Sequence, residues 1–171
     1  MSLEITIRKA EASDLERIAA IAVACFSNDF LDGNKDKSRQ KEYASDWVNN
    51  RQNLSPYGMY HVAEIDGEVV GYVFHLMIGG LSGVVQLEQI GVDPNHRTKG
   101  IGTSLILESE KLWKQHIQNK FNQPLSKMIL TTSRINDQAH NLYTRCWFAY
   151  ETTVKNMYWR EAEEIWVKEI K

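Results

Sequence analysis

A short basic segment that contains two glycines, Arg97-Thr98-Lys99-Gly100-Ile101-Gly102, is the part of the sequence best suited to chemistry. It lies between a predicted strand that ends at Val92 and a predicted helix that starts near Gly100. Glycines let a bulky anion approach the backbone, and the N–H groups at a helix N-terminus point toward bound negative charge. The segment therefore indicates an anion-binding loop. A plain strand-to-helix turn, with glycines present only for steric reasons, is the alternative.

Other signatures of nucleotide, hydrolase and metal sites are not met. Gly100 and Gly102 begin a GxGxxG pattern, but Leu105 stands in place of its third glycine, and no GxxxxGK[ST] or GxSxG motif occurs. The five histidines form neither HExxH nor a Cys/His spacing typical of zinc sites. We therefore expect no metal.

Charge is unevenly distributed along the chain. The net charge is −2, which argues against affinity that comes mainly from nucleic-acid phosphates. No Lys or Arg occurs from Gln52 to His96, which holds five acidic residues, whereas Arg97 to Lys127 holds six basic and two acidic ones. Such a reversal would suit ligands of opposite charge. Solvated surface charge explains the same pattern.

Length and composition are typical of one globular domain over residues 1–171. The chain is 43% hydrophobic and 25% charged. Its longest apolar run, Ile18 to Phe26, is shorter than the roughly 20 residues that a membrane span needs. The charged N-terminus is unlike a secretory signal, and two cysteines build no disulfide framework. We expect a cytoplasmic protein with no membrane partner.

The elements that must position the basic loop alternate between strand and helix. Ser13, with Glu16 three residues on, is the expected N-cap of the first helix, and Asp66-Gly67 is the expected turn of a hairpin. The predicted strands are Ile5–Ile7, Tyr60–Ile65, Glu68–Ile78, Val84–Val92, Met128–Thr132, Phe148–Thr153 and Met157–Val167. The predicted helices start at Ser13 and span Ser38–Asn50, Gly100–Asn119 and Asn136–Arg145, with a loop at Ser27–Lys37. This order predicts one α/β domain without repeats or linkers.

Two motifs in this order resemble a known family. Val92-Asp93-Pro94 followed by Arg97-xx-Gly100-x-Gly102 is similar to the acetyl-CoA signature of the GNAT superfamily of N-acetyltransferases. Asn136-xx-Ala139-xx-Leu142-Tyr143 followed by Phe148 resembles the later motif of that family. The resemblance covers nearly the whole chain. It implies an α/β (α+β) GNAT-like fold with a mixed, mostly antiparallel sheet of about 6–7 strands and about four flanking helices.

The resemblance also implies a reaction, in which an acceptor amine attacks the thioester of acetyl-CoA directly. Glu88, the only ionisable residue of its strand, is the first candidate for the base that takes the amine proton. His75 and an ordered water are the alternatives. By resemblance Tyr143 supplies a proton or hydrogen bond to the leaving thiolate, with core packing as its alternative role. Cys146 is a weak candidate for a covalent nucleophile, because nothing in the sequence places a base beside it.

Cofactor contacts follow from the same resemblance. We expect backbone N–H groups of the loop to bind the pyrophosphate, a strand edge to bind pantetheine, and Asn136 either to bind the cofactor or only to cap its helix. The expected contact residues are Arg97, Thr98, Lys99, Gly100, Ile101, Gly102 and Thr103 in the loop, Ile90, Gly91 and Val92 in the strand, and Asn136 and Tyr143. Gly91 within a strand also predicts a close backbone approach. The chain departs from the family pattern at Thr98 and Trp147, where glycine is usual.

Asp29 and Asp32 favour a small polyamine-like, amino-sugar or lysine-like amine as the acceptor, with a peptide or a protein N-terminus left open. The acceptor site is expected between the Ser27–Lys37 loop, the second helix and the final hairpin. Candidate lining residues are Trp47, Tyr57, Tyr60, Trp147, Tyr158 and Trp159, with Asp29 and Asp32 to attract a cation. A non-catalytic CoA-sensing protein and an enzyme for another acyl donor are the alternative functions. A homodimer is compatible with the sequence, and nucleic acid is not an expected partner.

Overall fold

Seven strands form one mixed sheet in the computed structural model, which describes residues 4–26, 37–80, 83–155 and 162–171. The strands are β1 (Thr6–Lys9), β2 (Gly58–Ile65), β3 (Glu68–Ile78), β4 (Val84–Val92), β5 (Lys127–Ser133), β6 (Ala149–Lys155) and β7 (Ala162–Glu169). Their order in the sheet is β1-β2-β3-β4-β5-β7-β6. The predicted mixed, mostly antiparallel sheet is therefore confirmed.

Among the described residues, four α-helices accompany the sheet. They are α1 (Leu15–Phe26), α2 (Lys37–Gln52), α3 (Ile101–Phe121) and α4 (Asp137–Arg145), and short 3-10 turns lie at Ala12–Asp14 and Pro94–His96. Each predicted helix is found to within a few residues of its expected bounds. Within the described ranges, no helix is both long and apolar enough to cross a membrane.

The start of the first helix differs from the expectation. Ser13 is not the N-cap, because it lies inside the 3-10 turn that precedes α1. Glu11 is the N-cap instead, and its backbone N–H donates to the Asp14 carboxylate at 2.7 Å. Arg8 also donates to Asp14, from Nη1 at 2.7 Å. Because Arg8 of β1 adds an ion pair to Asp14, the capping box of Glu11 and Asp14 is more stable than the predicted one of Ser13 and Glu16.

The hairpin of β2 and β3 is confirmed at its predicted turn. Asp66 and Gly67 have φ angles of 50° and 82°, the positive values that a two-residue turn of the primed type requires. Asp and Gly are the residues that adopt such angles most readily.

Strands β4 and β5 pair in parallel over only part of their lengths. The pairing runs from Val84 with Lys127 to Leu87 with Leu130. Strand β5 continues to Ser133 in antiparallel register with β7. Strand β4 continues for five residues, Glu88 to Val92, after the last pair that it forms with β5, Leu87 with Leu130.

The chain divides into two compact units, residues 1–74 with 89–109, and residues 75–88 with 110–171. In the first unit Ile18 and Ile21 of α1, Phe74 of β3 and Leu105 of α3 are fully buried. In the second, Trp113 of α3 and other apolar side chains are buried, among them Met128, Leu130, Cys146 and Phe148. One domain over residues 1–171 stays a prediction.

Candidate active site

The basic loop of the first unit starts from a capped turn. Asp93 follows β4 directly, and its Oδ1 accepts the backbone N–H of Asn95 at 2.8 Å. The N–H of His96 donates to the Asp93 carbonyl at 2.8 Å and closes the 3-10 turn. Arg97 then leaves the turn in an extended conformation, with φ −65° and ψ 163°. The loop therefore runs from a fixed turn to the first residue of α3.

Gly100 shapes the end of this loop. Its φ is +80°, and nothing lies within 4 Å of the position that a Cβ would occupy. Its carbonyl accepts the N–H of Ser104 at 3.0 Å, and the next residue, Ile101, is the buried first residue of α3. The N-terminal turn of a 21-residue helix thus opens onto empty space beside Gly100. Free N–H groups and the helix dipole at such an end favour an anion.

Thr98 adopts the backbone conformation of the glycine that it replaces. Its φ is +65°, which is unfavourable for a β-branched residue. Its hydroxyl donates to the carbonyl of Arg97 at 2.6 Å. The replacement keeps the backbone N–H of the loop, so the departure from the family pattern introduces local strain and removes no donor. Arg97, Thr98, Lys99 and Gly100 are all exposed, and Gly102 and Thr103 are half-buried.

Gly91 makes the close approach that its position in a strand predicts. A Cβ on Gly91 would lie 2.8 Å from Cε1 of Tyr72, so the Tyr72 ring occupies the space beside it. The Tyr72 hydroxyl reaches past Gly91 and donates to Oε1 of Gln89 at 2.6 Å. Burial raises the pKa of Tyr72 well above its usual value, so this hydroxyl stays protonated. The end of β4 is therefore held rigidly from one side.

Cys25, at the end of α1, contacts both the strand and the loop. Its Sγ donates to the Val92 carbonyl at 3.3 Å and accepts from Nη2 of Arg97 at 3.6 Å. The structure thus brings Val92, Arg97 and Cys25 together within the first unit. Sequence spacing does not reveal this thiol, because it precedes Val92 by more than sixty residues.

The later motif forms α4, in the second unit. Asn136 is the N-cap, and its Oδ1 accepts the N–H of Ala139 at 3.2 Å, which confirms the capping role. Tyr143 is buried, with its ring 6.1 Å from that of Phe148. Burial, and to a smaller extent Cys146, raise the pKa of Tyr143 above its usual value. The phenol is therefore a hydrogen-bond donor at any physiological pH.

The two candidate bases differ in exposure. Glu88 is half-buried on β4, among the alternate positions of that strand that are accessible to solvent. His75 of β3 is fully buried, and its ring lies 6.2 Å from that of Trp113 in an edge-on arrangement. A base must reach the amine or a water, and of these two side chains Glu88 is the one that is accessible to solvent. Within the described residues, no group of His, Cys, Asp and Glu side chains is arranged to hold a metal.

The candidate acceptor residues are described in part. Trp47 of α2 lies edge-on to Tyr60 and Phe74, with ring centroids 6.5 and 6.3 Å away. The guanidinium of Arg51 lies 3.6 Å above the Trp47 ring. Tyr57 and Trp147 are exposed. Asp29, Asp32, Tyr158 and Trp159, with the Ser27–Lys37 loop up to residue 36, lie outside the described residues.

A family model matches this chain over residues 15–148, and its description is the acetyltransferase (GNAT) family. An N-alpha-acetyltransferase of Sulfurisphaera tokodaii is 32% identical in an alignment 117 residues long that covers 63% of this chain. The chain spans 66% of the length of that relative, just under two thirds.

Solved structures of N-acetyltransferases share the fold. The PaiA N-acetyltransferase of Thermoplasma acidophilum, in complex with coenzyme A, superposes with a TM-score of 0.74 at 20% sequence identity. The superposition covers 98% of this chain and 100% of that one. The ribosomal-protein-S18-alanine N-acetyltransferase of Escherichia coli has a TM-score of 0.73 at 18% identity, over 98% of this chain and 94% of that one.

Proposed function

Because this chain belongs to the acetyltransferase (GNAT) family, we propose that it transfers the acetyl group of acetyl-CoA to a primary amine. The observation that carries the proposal is the loop at the N-terminus of α3, where Gly100 leaves open space beside the first turn of the helix. A pyrophosphate fits this environment, since Arg97 and Lys99 add positive charge to the helix dipole. The N–H groups from Arg97 to Thr103 are its proposed donors.

The pantetheine arm is assigned to the end of β4. Ile90, Gly91 and Val92 lie beyond the last residue that pairs with β5 in the recorded register. Backbone groups at such a strand end can pair with an extended ligand that carries amides. The Val92 carbonyl already accepts from Cys25 Sγ, so a ligand there would share or replace that bond. Asn136 remains a candidate for a further cofactor contact, in addition to its observed role as a cap.

Starting from an ammonium group, acetyl transfer removes two protons from nitrogen, one before the attack and one after the C–N bond has formed, and leaves negative charge on sulfur. The second proton passes to water. The amine nitrogen forms a bond to the thioester carbon, and the C–S bond then breaks to release the CoA thiolate. The first proton leaves at a cost of roughly 1 kcal/mol at pH 7 for a peptide α-amine, whose pKa is near 8, and of roughly 4–5 kcal/mol for an alkyl amine with a pKa near 10.4. We assign that proton to Glu88, directly or through a water, and the stabilisation of the thiolate to the Tyr143 hydroxyl.

Replacement of Glu88 by Gln tests the base. The amide cannot take a proton, so we expect kcat to fall and the pH–rate profile to change. Gln86→Glu, two residues away on the same strand, adds a negative charge where Glu88→Gln removes one. It is the control for the effect of a change of net charge on the rate. An unaltered pH–rate profile in Glu88→Gln would remove Glu88 from this role.

The acceptor proposed first is the α-amine at the N-terminus of a peptide. The relative with 32% identity is named an N-alpha-acetyltransferase, and this name is the support for a peptide substrate. In the described part of the expected acceptor region, Tyr60 is buried and the Arg51 guanidinium lies over the half-buried Trp47 ring. A cation at this place disfavours a polycation as the acceptor.

An acceptor panel tests the function. Acetyl-CoA is incubated with the protein and with peptides of free N-terminus, the same peptides with blocked N-terminus, a polyamine and an amino sugar. Thiol release is measured together with the mass of each acceptor. We expect equal amounts of free thiol and acetylated peptide only where the N-terminus is free. Binding of acetyl-CoA without thiol release on any amine would indicate a CoA-sensing protein instead.

A further inference from the structure

Arg17 on α1 is bonded to the segment that leads into the basic loop. Its Nη2 donates to Oδ2 of Asp93 at 2.7 Å, and its Nε donates to the carbonyl of Val69 at 2.9 Å. The Asp93 carboxylate is almost fully enclosed, with 11% of its side chain exposed, whereas the third partner of Arg17, Glu68, is 62% exposed. The enclosed charge-assisted bond is therefore the stronger of the two ion pairs.

Asp93 transmits this contact to the loop. One carboxylate oxygen holds Arg17 and the other caps the Pro94–His96 turn through the N–H of Asn95. The backbone N–H of Asp93 is in turn fixed to the carbonyl of Val70 at 2.9 Å. Asp93 thus joins α1 to the turn from which Arg97 starts through its carboxylate, and holds β3 through its backbone N–H.

We propose that Arg17 is a positioning residue for acetyl-CoA binding, which it serves by holding Asp93 and with it the turn that aims the 97–103 loop. The inference rests on the proposed function of that loop. Without Arg17 the enclosed carboxylate loses its cation and must move toward water, which displaces the turn. The loop then meets the pyrophosphate in the wrong place. Sequence reasoning misses Arg17, since it precedes Asp93 by 76 residues.

The chain offers a matched control in Arg8. Its guanidinium donates to Asp14 at 2.7 and 3.0 Å and to Glu64 at 2.9 Å, so it also joins two elements of the first unit. Its side chain is 32% exposed and that of Arg17 is 35% exposed. The recorded bonds of Arg8 do not include the 92–97 segment. Arg8→Met therefore removes a comparable structural contact without touching the loop.

Acetyl-CoA affinity of Arg17→Met, Arg17→Lys and Arg8→Met, measured by calorimetry, tests the proposal. We expect Arg17→Met to weaken binding about tenfold, the size of effect that follows from loss of one hydrogen bond between charged groups. The KM for acetyl-CoA should rise by the same factor with kcat unchanged, and Arg17→Lys should restore part of the affinity. Arg8→Met should lower thermal stability and leave affinity as in the parent. Equal affinity in Arg17→Met, or an equal loss in Arg8→Met, would overturn the proposal.

A second measurement keeps the test independent of folding and of the proposed function. Asp93→Asn keeps the cap but loses the ion pair with Arg17. Arg17→Met should therefore weaken acetyl-CoA binding less in the Asp93→Asn protein than in the parent. Hydrogen exchange at the amides of Asn95 and His96, without acetyl-CoA, should be faster in Arg17→Met or Arg17→Lys and unaltered in Arg8→Met. If the parent protein fails to bind acetyl-CoA, the proposed function is lost. The exchange rates then decide the positioning role, and unaltered rates contradict it.

Discussion

The phenol of Tyr143 could serve the proposed CoA thiolate in two ways, by transferring its proton or by donating a hydrogen bond, and burial bears on which of the two is feasible. A CoA thiol has a pKa near 8.5, and the pKa of Tyr143 is raised above 10 by burial. Full proton transfer from this phenol to the thiolate is therefore uphill by more than about 2 kcal/mol at 1.36 kcal/mol per pKa unit. A hydrogen bond to the sulfur carries no such cost. We infer that Tyr143 stabilises the thiolate by donation and that water completes its protonation.

Removal of this hydroxyl should slow the transfer without abolishing it. In Tyr143→Phe we expect kcat to fall roughly 10- to 100-fold, as for loss of one hydrogen bond to a charged group, with the KM for acetyl-CoA little changed. Tyr150→Phe serves as the control, because Tyr150 is exposed and its hydroxyl bonds to Thr153 in the same unit. Steady-state kinetics check both variants. Wild-type kcat in Tyr143→Phe would return Tyr143 to a packing role.

The C-terminus of α4 keeps the geometry of a glycine cap although Trp147 occupies the glycine position. Trp147 has a φ of +70° and a side chain that leaves the residue 75% exposed. Its N–H donates to the carbonyl of Thr144 at 3.1 Å, and the N–H of Phe148 donates to that of Tyr143 at 3.0 Å. These are the bonds of a left-handed helix termination. The departure from the family pattern therefore leaves α4 and the start of β6 correctly joined.

Glycine at this position should stabilise the protein. Trp147→Gly relieves the left-handed strain, and the greater freedom of glycine in the unfolded chain offsets part of the gain, which leaves about 0.5–1 kcal/mol. We expect the Tm to rise by about 1–4 °C in calorimetry. Trp147→Ala is the control, since it removes the ring but keeps the strain. A Tm that rises equally in Trp147→Ala would assign the effect to the exposed ring.

Elements with local signals are predictable from this sequence, and contacts over long separations are not. The Asp66-Gly67 turn and the bounds of β4 follow from turn chemistry and from alternation along the strand. The cap at Glu11 was missed because Arg8 and Asp14 decide it through an ion pair. The loop residues follow from the motif, but the fold brings Cys25 to Arg97 of the loop and Arg17 to Asp93, which precedes the loop. Prediction therefore reaches the loop and misses the side chains that hold it.

Across the whole molecule, enclosed carboxylates determine the response to acid. The Arg8 guanidinium lowers the pKa of Asp14, and the N–H of Asn95 followed by Arg17 lowers that of Asp93. For Glu110, burial opposes ionisation, but bonds from Lys168 and Lys114 outweigh it and the pKa is lowered. A carboxylate with a lower pKa in the folded state binds fewer protons there than in the unfolded state as the pH falls.

The free energy of unfolding should therefore be level above the ordinary carboxyl pKa, about 4, and should fall as the pH drops below it. Each of these groups adds up to about 1.4 kcal/mol per pH unit to that decline. Asp14→Asn, which can still accept the Glu11 N–H, should be less stable at pH 7 and show a shallower decline. Urea unfolding from pH 7 to pH 3 checks this. A decline as steep as in the parent would contradict the assignment for Asp14.

Binding of acetyl-CoA by two glycine variants tests the central claim most directly. Gly100→Glu places a carboxylate where the pyrophosphate is expected, and Gly67→Glu carries the same φ cost, with +82° against +80° and open space at both positions. By calorimetry we predict that Gly100→Glu lowers affinity by at least about 100-fold, because like charges would share one site. Gly67→Glu should bind as the parent does, with a similar Tm. Unchanged affinity in Gly100→Glu would contradict the assignment of this loop to acetyl-CoA.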